Sequence, residues 1–129
     1  MAEIWAVRGK SLPKPAGPYS HATDAAGFIF VSGQLPLDPA IGKIVQGKIS
    51  EHASQALSNI EAVLGAAGAK KENIVRVDVF LKNLNDAKGF NEIYVKWLGN
   101  HRPARQMIEA AGLPGGSLIE ISCIAYAPK

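Results

Sequence analysis

An arginine and a glutamate lie in segments that are otherwise largely apolar, as the strands of a protein core are. Arg105 begins the stretch RQMIEAA shortly after Pro103, and Glu120 interrupts the stretch SLIEISCIAYA near the C-terminus. A carboxyl group inside an apolar strand costs free energy through desolvation unless it is paired or is used in chemistry. The planar guanidinium of arginine suits a carboxylate, because it donates two parallel charge-assisted hydrogen bonds. These two side chains are therefore the first candidates for chemistry.

The residue types allow two interpretations of Arg105 and Glu120. In the first, the two side chains form an ion pair or both lie on the surface, and neither has a catalytic role. In the second, Arg105 captures the anionic group of a substrate and Glu120 handles a proton or a water molecule. If Arg105 lies in a strand, residues 105, 107 and 109 share one face of it, so that Arg105 and Met107 line one cleft. The pattern of residues leaves both interpretations open.

Other reactive side chains show no pattern that is typical of a metal site or a nucleophile. His21, His52 and His101 are far apart and lack the spacing of metal ligands. The single cysteine, Cys123, lies in an alternating apolar stretch and is predicted to be a buried, unreactive thiol. Ser32 stands in VSGQL, which does not match the G-x-S-x-G motif of a hydrolase nucleophile. We therefore expect neither a metal nor an organic cofactor.

Length and composition limit the class of protein. The 129 residues fit a single domain, 1–129, which is large enough to fold around its own core. The net charge of +3 comes with 14 scattered Lys and Arg residues, so nucleic-acid binding is not expected. No apolar run approaches the roughly 20 residues that span a bilayer, and the N-terminus lacks the apolar centre of a signal peptide. These features predict a cytoplasmic protein without a membrane partner.

Hydrophobic periodicity predicts the strands and helices that would position these side chains. Strands are predicted at 27–35, 73–81, 105–111 and 117–127, and helices at 50–67 and 90–98. Residues 37–45 supply a turn and a return strand, so that the first strand is expected to form a hairpin. The last two strands are expected to flank the turn GLPGG. In the strand at 73–81, the side chains expected on the buried face are Val75, Val77, Val79 and Leu81.

Both predicted helices carry one apolar stripe and have clear sequence signals at their ends. Ser50 is the predicted N-cap of the first helix, Gly68 follows its C-terminus, and Gly99 ends the second helix. The order of elements predicts an α+β fold in which two helices cover one face of a single mixed sheet. Because strands as apolar as 118–126 need cover on the other face as well, we expect the chain to form an oligomer.

Seven ordered stretches cover most of the chain from about residue 10 to the C-terminus. They are GPYSHA (17–22), FVSGQLPLDPAIGKIV (30–45), LSNIEAVLGAAGA (57–69), VFLKNLND (79–86), FNEIYVKW (90–97), PAR (103–105) and LPGGSLIEISCIA (113–125). Together they resemble the YjgF/RidA family, whose older names include L-PSP. This resemblance implies a chorismate-mutase-like fold, assembled as a homotrimer with clefts between the subunits.

The resemblance also implies an activity and the residues that carry it. Family members with this arginine hydrolyse reactive 2-imino acids to 2-keto acids and ammonia without a cofactor. Arg105 corresponds to the arginine that binds the substrate carboxylate, and Glu120 to the glutamate that handles the attacking water. Other substrate-binding positions of the family correspond to Tyr19, Ser32, Gly33, Asn91 and Met107. Because Met107 replaces a smaller residue of many relatives, it is expected to narrow the cleft or to favour a different imine side chain.

Two other functions stay open at the level of sequence. The name L-PSP also denotes an endoribonuclease that inhibits translation, for which a basic groove and stacking aromatic residues would be needed. A non-catalytic trimer that binds small carboxylates or acts as a chaperone would use the same Arg105. Loss of turnover with retained ligand affinity in a Glu120→Ala variant separates the enzyme from the binding module.

Overall fold

The computed structural model of the protein describes residues 3–129, and within this range the chain forms two α-helices and eight β-strands. The strands are β1 (Ile4–Ala6), β2 (Ala22–Ala25), β3 (Phe28–Gln34), β4 (Leu37–Asp38), β5 (Lys43–Ile44), β6 (Ile74–Leu81), β7 (Ala104–Glu109) and β8 (Ile119–Tyr126). The helices are α1 (Ile49–Ala66) and α2 (Ala87–Leu98). Six strands form one mixed sheet in the order β1-β2-β3-β8-β6-β7, and β4 pairs with β5 alone.

Both helices pack on the same face of the six-stranded sheet, so the predicted α+β class with a mixed sheet is confirmed. Burial alternates along β8, where Ile119, Ile121 and Cys123 face the helices. Val77 and Val79 of β6 continue this buried layer. The apolar stripes of α1 and α2 close the core above it. Each large apolar side chain that is fully buried here contributes roughly 1.5–3 kcal/mol, so this layer holds the helices to the sheet.

Both helices lie close to their predicted limits. The apolar stripe predicted for the first helix is buried or half-buried in α1, and its residues are Ala56, Leu57, Ile60, Val63, Leu64 and Ala67. The N-cap of α1 is Lys48 instead of Ser50, because the Glu51 carboxylate accepts a hydrogen bond from the Lys48 N–H at 2.8 Å. Gly68 follows α1 with a φ of +78°, and Gly99 ends α2, both as predicted. Neither helix has the length and apolarity of a membrane span, within the range that the structure describes.

The predicted hairpin of residues 27–45 is wrong. Strand β3 pairs with β2 on one side and with β8 on the other, and the return strand belongs to a separate β4–β5 hairpin with two residues in each strand. The sequence pattern also did not predict β1 or β2, because β2 is a short ATDA segment without an apolar alternation. Backbone hydrogen bonding of β2 to β3 and of β1 to β2 holds these strands in the sheet, and such pairing leaves little signal in residue types.

Strand β6 lies between the two closing strands. Helix α2 connects β6 to β7 as a crossover, which places β7 parallel to β6 at the sheet edge. Strand β8 pairs antiparallel with the other side of β6, so β7 and β8 do not pair with each other. The register of β6 shifts between Ile74 and Arg76, which turns Val75 outward and buries Ile74 in its place. The prediction that Val75 belongs to the core is therefore wrong.

The second face of the sheet, which we call the open face, is not covered by any helix within residues 3–129. It carries the aromatic side chains Phe28, Phe30 and Tyr126, which are 41%, 44% and 43% exposed. The Phe28 ring centre lies 4.7 Å from that of Tyr126 and 6.5 Å from that of Phe30, so the three rings form one cluster. Contiguous exposed apolar surface of this kind is typical of a contact surface for another macromolecule.

Candidate active site

Arg105 lies in the edge strand β7 and points to the face of the sheet that carries the helices. It is paired in register with Val77, a core residue of β6. Its guanidinium lies 4.9 Å from the ring centre of Tyr94 and 5.8 Å from that of Phe90, both in α2. Its Nη1 donates a hydrogen bond of 2.7 Å to Oδ1 of Asn91 in the same helix. The arginine is thus accessible on one side and anchored by one helix on the other.

No carboxylate among residues 3–129 neutralises the Arg105 guanidinium. The ion pair found in this part of the chain joins Arg76 to Asp78 at 3.0 Å, on the open face. Within one chain, the ion pair between Arg105 and Glu120 that the first interpretation allowed is therefore wrong, whereas Arg105 is exposed, as the same interpretation also allowed. Asn91 takes one hydrogen of Nη1, which leaves most of the five guanidinium donors for another partner. An anchored, unpaired guanidinium is suited to an anion from outside the chain.

Glu120 lies in β8 on the open face of the sheet. It is paired in register with Phe80 of β6, whereas its neighbours Ile119 and Ile121 are buried toward the helices. Its carboxyl group lies across the backbone of Gly33 in β3, where an added Cβ would stand 2.6 Å from Oε2 of Glu120. Burial raises the pKa of Glu120, and no ion pair in the described range offsets this desolvation. The glycine therefore gives room to a desolvated carboxyl group that binds protons more readily than an exposed one.

Ser32 and Tyr19 are attached to the same region by backbone hydrogen bonds. The Ser32 hydroxyl donates to the backbone carbonyl of Ser20 at 2.6 Å, and the Ser32 N–H donates to the carbonyl of His21 at 2.9 Å. The segment that carries Tyr19 is therefore fixed to β3. The side chain of Tyr19 is 48% exposed and lines a cleft of about 440 Å³ that is formed within residues 6–21.

The predicted site residues form two groups in the single chain. The arginine group consists of Arg105, Asn91 and Met107. The glutamate group consists of Glu120 and Gly33, which lie against each other, of Ser32 next to Gly33 in β3, and of Tyr19, whose neighbour Ser20 accepts the Ser32 hydrogen bond. Arg105 and Glu120 lie on opposite faces of the sheet, because their register partners in β6 are three residues apart. The cleft beside Tyr19 contains neither of them, so one chain does not bring the two groups together.

Met107 shares the strand face of Arg105, as the strand geometry predicted. It is paired in register with Val79 and packs, half-buried, against the core. Gln106, the residue before Met107, is exposed and points to the opposite face. Part of the bulk of Met107 is therefore accommodated inside the protomer.

Comparison with known proteins identifies the family. A sequence model of the family described as Endoribonuclease L-PSP matches residues 9–127, which is nearly the whole chain. The chain belongs to the L-PSP family. A RutC family protein of Pyrococcus horikoshii is 45% identical over 117 residues, which cover 91% of this chain and 93% of that protein. The human protein named 2-iminobutanoate/2-iminopropanoate deaminase is 42% identical over 113 residues, which cover 88% of this chain and 82% of the human protein.

A solved structure of a relative shows that this L-PSP family member shares its fold. The Yersinia pestis protein YyfA, described as a protein of unknown function in the conserved Rid protein family, superposes with a TM-score of 0.93. It is 36% identical to this chain, and the superposition covers 97% of this chain and 100% of that one. The predicted membership in the YjgF/RidA family is therefore confirmed by both sequence and structure.

The histidines and the cysteine of this L-PSP family member lie in structural environments. Each histidine hydrogen-bonds a backbone group: His21 the carbonyl of Pro13, His52 the N–H of Leu118, and His101 the carbonyl of Ile74. Burial raises the pKa of Cys123 to about 12, so that it is a thiol at neutral pH, as predicted. From residue 3 to the C-terminus, no three His, Cys, Asp or Glu side chains cluster so as to hold a metal ion.

The sequence did not predict the aromatic part of the arginine group. Phe90 and Tyr94 belong to the apolar stripe of α2, and both are buried as that stripe requires. Their ring centres lie 5.2 Å apart, and the Arg105 guanidinium lies over both rings. The available signal is their spacing: two aromatic residues at i and i+4 with Asn91 beside them place two rings and an amide on one side of a helix.

Proposed function

We propose that this L-PSP family member is an imine deaminase that hydrolyses 2-imino acids to 2-keto acids and ammonia. The observation that carries the proposal is the guanidinium of Arg105, which α2 anchors and which no carboxylate of the described chain neutralises. The 42% identity to the human protein named 2-iminobutanoate/2-iminopropanoate deaminase supports the same class of reaction. A 2-imino acid carries the missing carboxylate directly beside the C=N bond that is to be hydrolysed.

Arg105 binds the substrate carboxylate. The amide of Asn91 and the ring of Tyr94 already fix the guanidinium, so the arginine loses little conformational freedom when a ligand binds. Its remaining donors form two parallel hydrogen bonds to the carboxylate. Because the carboxylate is held, the imine carbon is oriented toward the attacking water, and this orientation removes part of the entropic barrier.

Glu120 handles the water that attacks the imine. Because burial raises its pKa, its carboxylate is a stronger base than that of an exposed glutamate. Glu120 takes a proton from water as the oxygen bonds to the carbon and the π bond of C=N breaks, and it passes this proton to the nitrogen to give a carbinolamine. Glu120 then takes the hydroxyl proton as the C–N bond breaks and the keto group forms, and it returns this proton to the departing nitrogen, which leaves as ammonia. Backbone groups near Gly33 and Met107 orient the imine nitrogen and the developing amine.

The site is completed between the subunits of a homotrimer. Within one chain the arginine and glutamate groups lie on opposite faces of the sheet, so a second copy has to supply one of them. The exposed cluster of Phe28, Phe30 and Tyr126 supports such an assembly, because a neighbouring subunit would remove its apolar surface from water. The partners of this chain are therefore other copies of itself and a small 2-imino acid.

Mixing two inactive variants tests this arrangement. When equal amounts of Arg105→Ala and Glu120→Ala chains are unfolded and refolded together, about one quarter of the interfaces contain both an intact Arg105 and an intact Glu120. We expect the mixture to recover about a quarter of the wild-type activity, while each variant alone stays close to the uncatalysed rate. The assay follows the release of 2-oxobutanoate while an amino-acid oxidase generates the imine from 2-aminobutanoate and keeps it well below KM, where the weaker binding expected of Arg105→Ala lowers the rate directly.

A second mixture distinguishes a shared site from a site within one chain. Wild-type chains refolded with an equal amount of the Arg105→Ala, Glu120→Ala double variant should retain about a quarter of the activity if two chains form each site, and about half if one chain does. The two single variants mixed without unfolding serve as the control, because their subunits have not been redistributed. A refolded mixture no more active than its separate components would contradict the shared site.

Substitution of Gly33 tests the placement of Glu120. An added Cβ would stand 2.6 Å from Oε2 and 2.9 Å from Cδ of Glu120. Since these atoms end a flexible side chain, the carboxyl group moves aside at little cost to the fold. We expect Gly33→Ala to lower kcat by about tenfold or more and to change the free energy of unfolding by about 1 kcal/mol or less. Gly65→Ala, where an added Cβ meets nothing within 4 Å, is the matched control. Equal kcat values in the two variants would contradict the proposed role of Glu120.

The family description favours endoribonuclease activity as a second candidate function. The exposed rings of Phe28 and Phe30 are suited to stacking on bases. However, Arg76 on the same face is paired with Asp78, which reduces the attraction for a phosphate backbone. Cleavage of a labelled single-stranded RNA that persists undiminished in Arg105→Ala would favour this candidate, since that variant removes the proposed imine site.

A further inference from the structure

Tyr94 lies at the boundary between the core and the arginine group. It is 5% exposed, and its hydroxyl oxygen is buried without a hydrogen-bond partner in the part of the chain that the structure describes. Buried hydroxyl groups nearly always have such a partner, so the hydroxyl does not account for the placement of this residue. The face of the ring has a defined contact instead, because the Arg105 guanidinium lies 4.9 Å from its centre.

The contact joins a cation to a neutral ring. Burial raises the pKa of Tyr94, and the positive charge of Arg105 offsets only part of this rise. The phenol is therefore protonated at neutral pH, so a phenolate–guanidinium ion pair does not form. The attraction arises from the negative face of the aromatic ring, and it is stronger where the pair is shielded from water.

An aromatic ring that packs against the face of a guanidinium leaves its donors free, because the N–H bonds lie in the plane of that group. Asn91 accepts one hydrogen of Nη1 and thereby fixes the rotation of the group. Phe90 lies 5.8 Å from the guanidinium and supports the ring of Tyr94 at 5.2 Å. Helix α2 thus holds the orientation of Arg105 without neutralising its charge.

We propose that Tyr94 is a positioning residue of the anion site, whose ring holds the Arg105 guanidinium so that two in-plane donors face a ligand carboxylate. The inference rests on the proposed role of Arg105. It assigns to Tyr94 a function that acts through the electrostatics of the ring and that neither its hydroxyl nor its volume provides.

Two substitutions of similar shape separate ring electrostatics from packing. Tyr94→Phe keeps the negative face of the ring, whereas Tyr94→pentafluorophenylalanine reverses it with little change in volume. The measured quantity is the dissociation constant of 2-oxobutanoate, obtained by NMR titration of the full oligomer. We expect Tyr94→Phe to bind within about twofold of wild type and the pentafluoro variant to bind about tenfold more weakly. A merely structural role would give equal dissociation constants for the two variants.

The same two substitutions in an Arg105→Ala background provide the control. Without the guanidinium, both rings should give the same dissociation constant, because the interaction they modulate is absent. A pentafluoro effect that persists in this background, or that is missing when Arg105 is present, overturns the inference. A failure of the proposed role of Arg105 gives a different result from a failure of the role of Tyr94. If Arg105 does not bind the carboxylate, Arg105→Ala alone binds 2-oxobutanoate as tightly as wild type. Thermal melting of each variant identifies any loss of fold, and in that case Tyr94→Leu, which removes the ring altogether, tests in both backgrounds whether the change in dissociation constant depends on Arg105.

Discussion

Replacement of Arg105 by alanine is expected to lower kcat/KM for 2-iminobutanoate on the order of 100- to 1,000-fold. Removal of one partner from a hydrogen-bonded charge pair costs about 2–5 kcal/mol, and each 1.4 kcal/mol corresponds to about a factor of ten. The loss should appear mainly in KM, because Arg105 contacts the carboxylate in the ground state and in the transition state alike. The oxidase-coupled release of 2-oxobutanoate measures both constants.

Two further variants separate the charge of Arg105 from its geometry. Arg105→Lys keeps the positive charge but lacks the planar fork that bonds Asn91 and the carboxylate, so we expect a loss of about tenfold. Lys96→Ala removes an exposed cation from α2 and should stay within about twofold of wild type. An unchanged KM in Arg105→Ala, with Lys96→Ala also unchanged, would rule out anion capture by this residue.

The sequence predicted the elements whose signals are local. Both helices appeared as apolar stripes at helical spacing, and Gly68 and Gly99 marked their ends. Apart from the N-cap of α1, the errors concern pairing between distant segments. Strand β2 joined the sheet by hydrogen bonding to β3, and β6 came to lie between β7 and β8, in both cases without a pattern in the residues themselves. Val75 was misplaced for the same reason, because the register shift in β6 depends on its partner strand.

The candidate site shows the same division between residue identity and placement. Strand periodicity predicted that Arg105 and Met107 share a face, and the pairing of β7 with β6 agrees. Whether Arg105 and Glu120 share a face could not be predicted, because it depends on the register of two strands on either side of β6. Val77 pairs with Arg105 and Phe80 with Glu120, an odd spacing that turns the two side chains to opposite faces. Because the two side chains lie on opposite faces, Arg105 and Glu120 cannot form an ion pair within one chain.

Replacement of Glu120 by glutamine is expected to lower kcat by about 100-fold or more and to leave KM nearly unchanged. Glutamine keeps the size of the side chain but cannot take a proton from water. Turnover is measured with the coupled assay, and affinity by NMR titration with 2-oxobutanoate on the same preparation. A binding module without catalysis would show no turnover in wild type either, whereas an enzyme that uses another base would keep its kcat in Glu120→Gln.

The pH dependence of kcat gives an independent test of the same group. Only the ionised carboxylate accepts a proton, so wild-type kcat should fall as the pH decreases through the pKa of Glu120. Because burial raises this pKa, the midpoint should lie above the ordinary value of a glutamate. Glu120→Gln should lack this acidic limb. A wild-type profile that stays flat down to the ordinary range would contradict both the burial of Glu120 and its role as the base.

As the pH rises through the pKa of Glu120, the contribution of this residue to the free energy of unfolding should fall while kcat rises. The folded protein binds the Glu120 proton more tightly than the unfolded chain, because desolvation raises the folded-state pKa. Ionisation therefore costs stability, and this cost is absent below the unfolded-state pKa and complete above the folded-state pKa. We expect Glu120→Gln to resist urea better than wild type at neutral pH, with the difference narrowing on acidification through that window. If the Glu120 carboxylate stabilised the fold, wild type would resist urea better than Glu120→Gln at neutral pH. A carboxylate that serves catalysis instead lowers the stability of the protein at the pH values at which it is ionised.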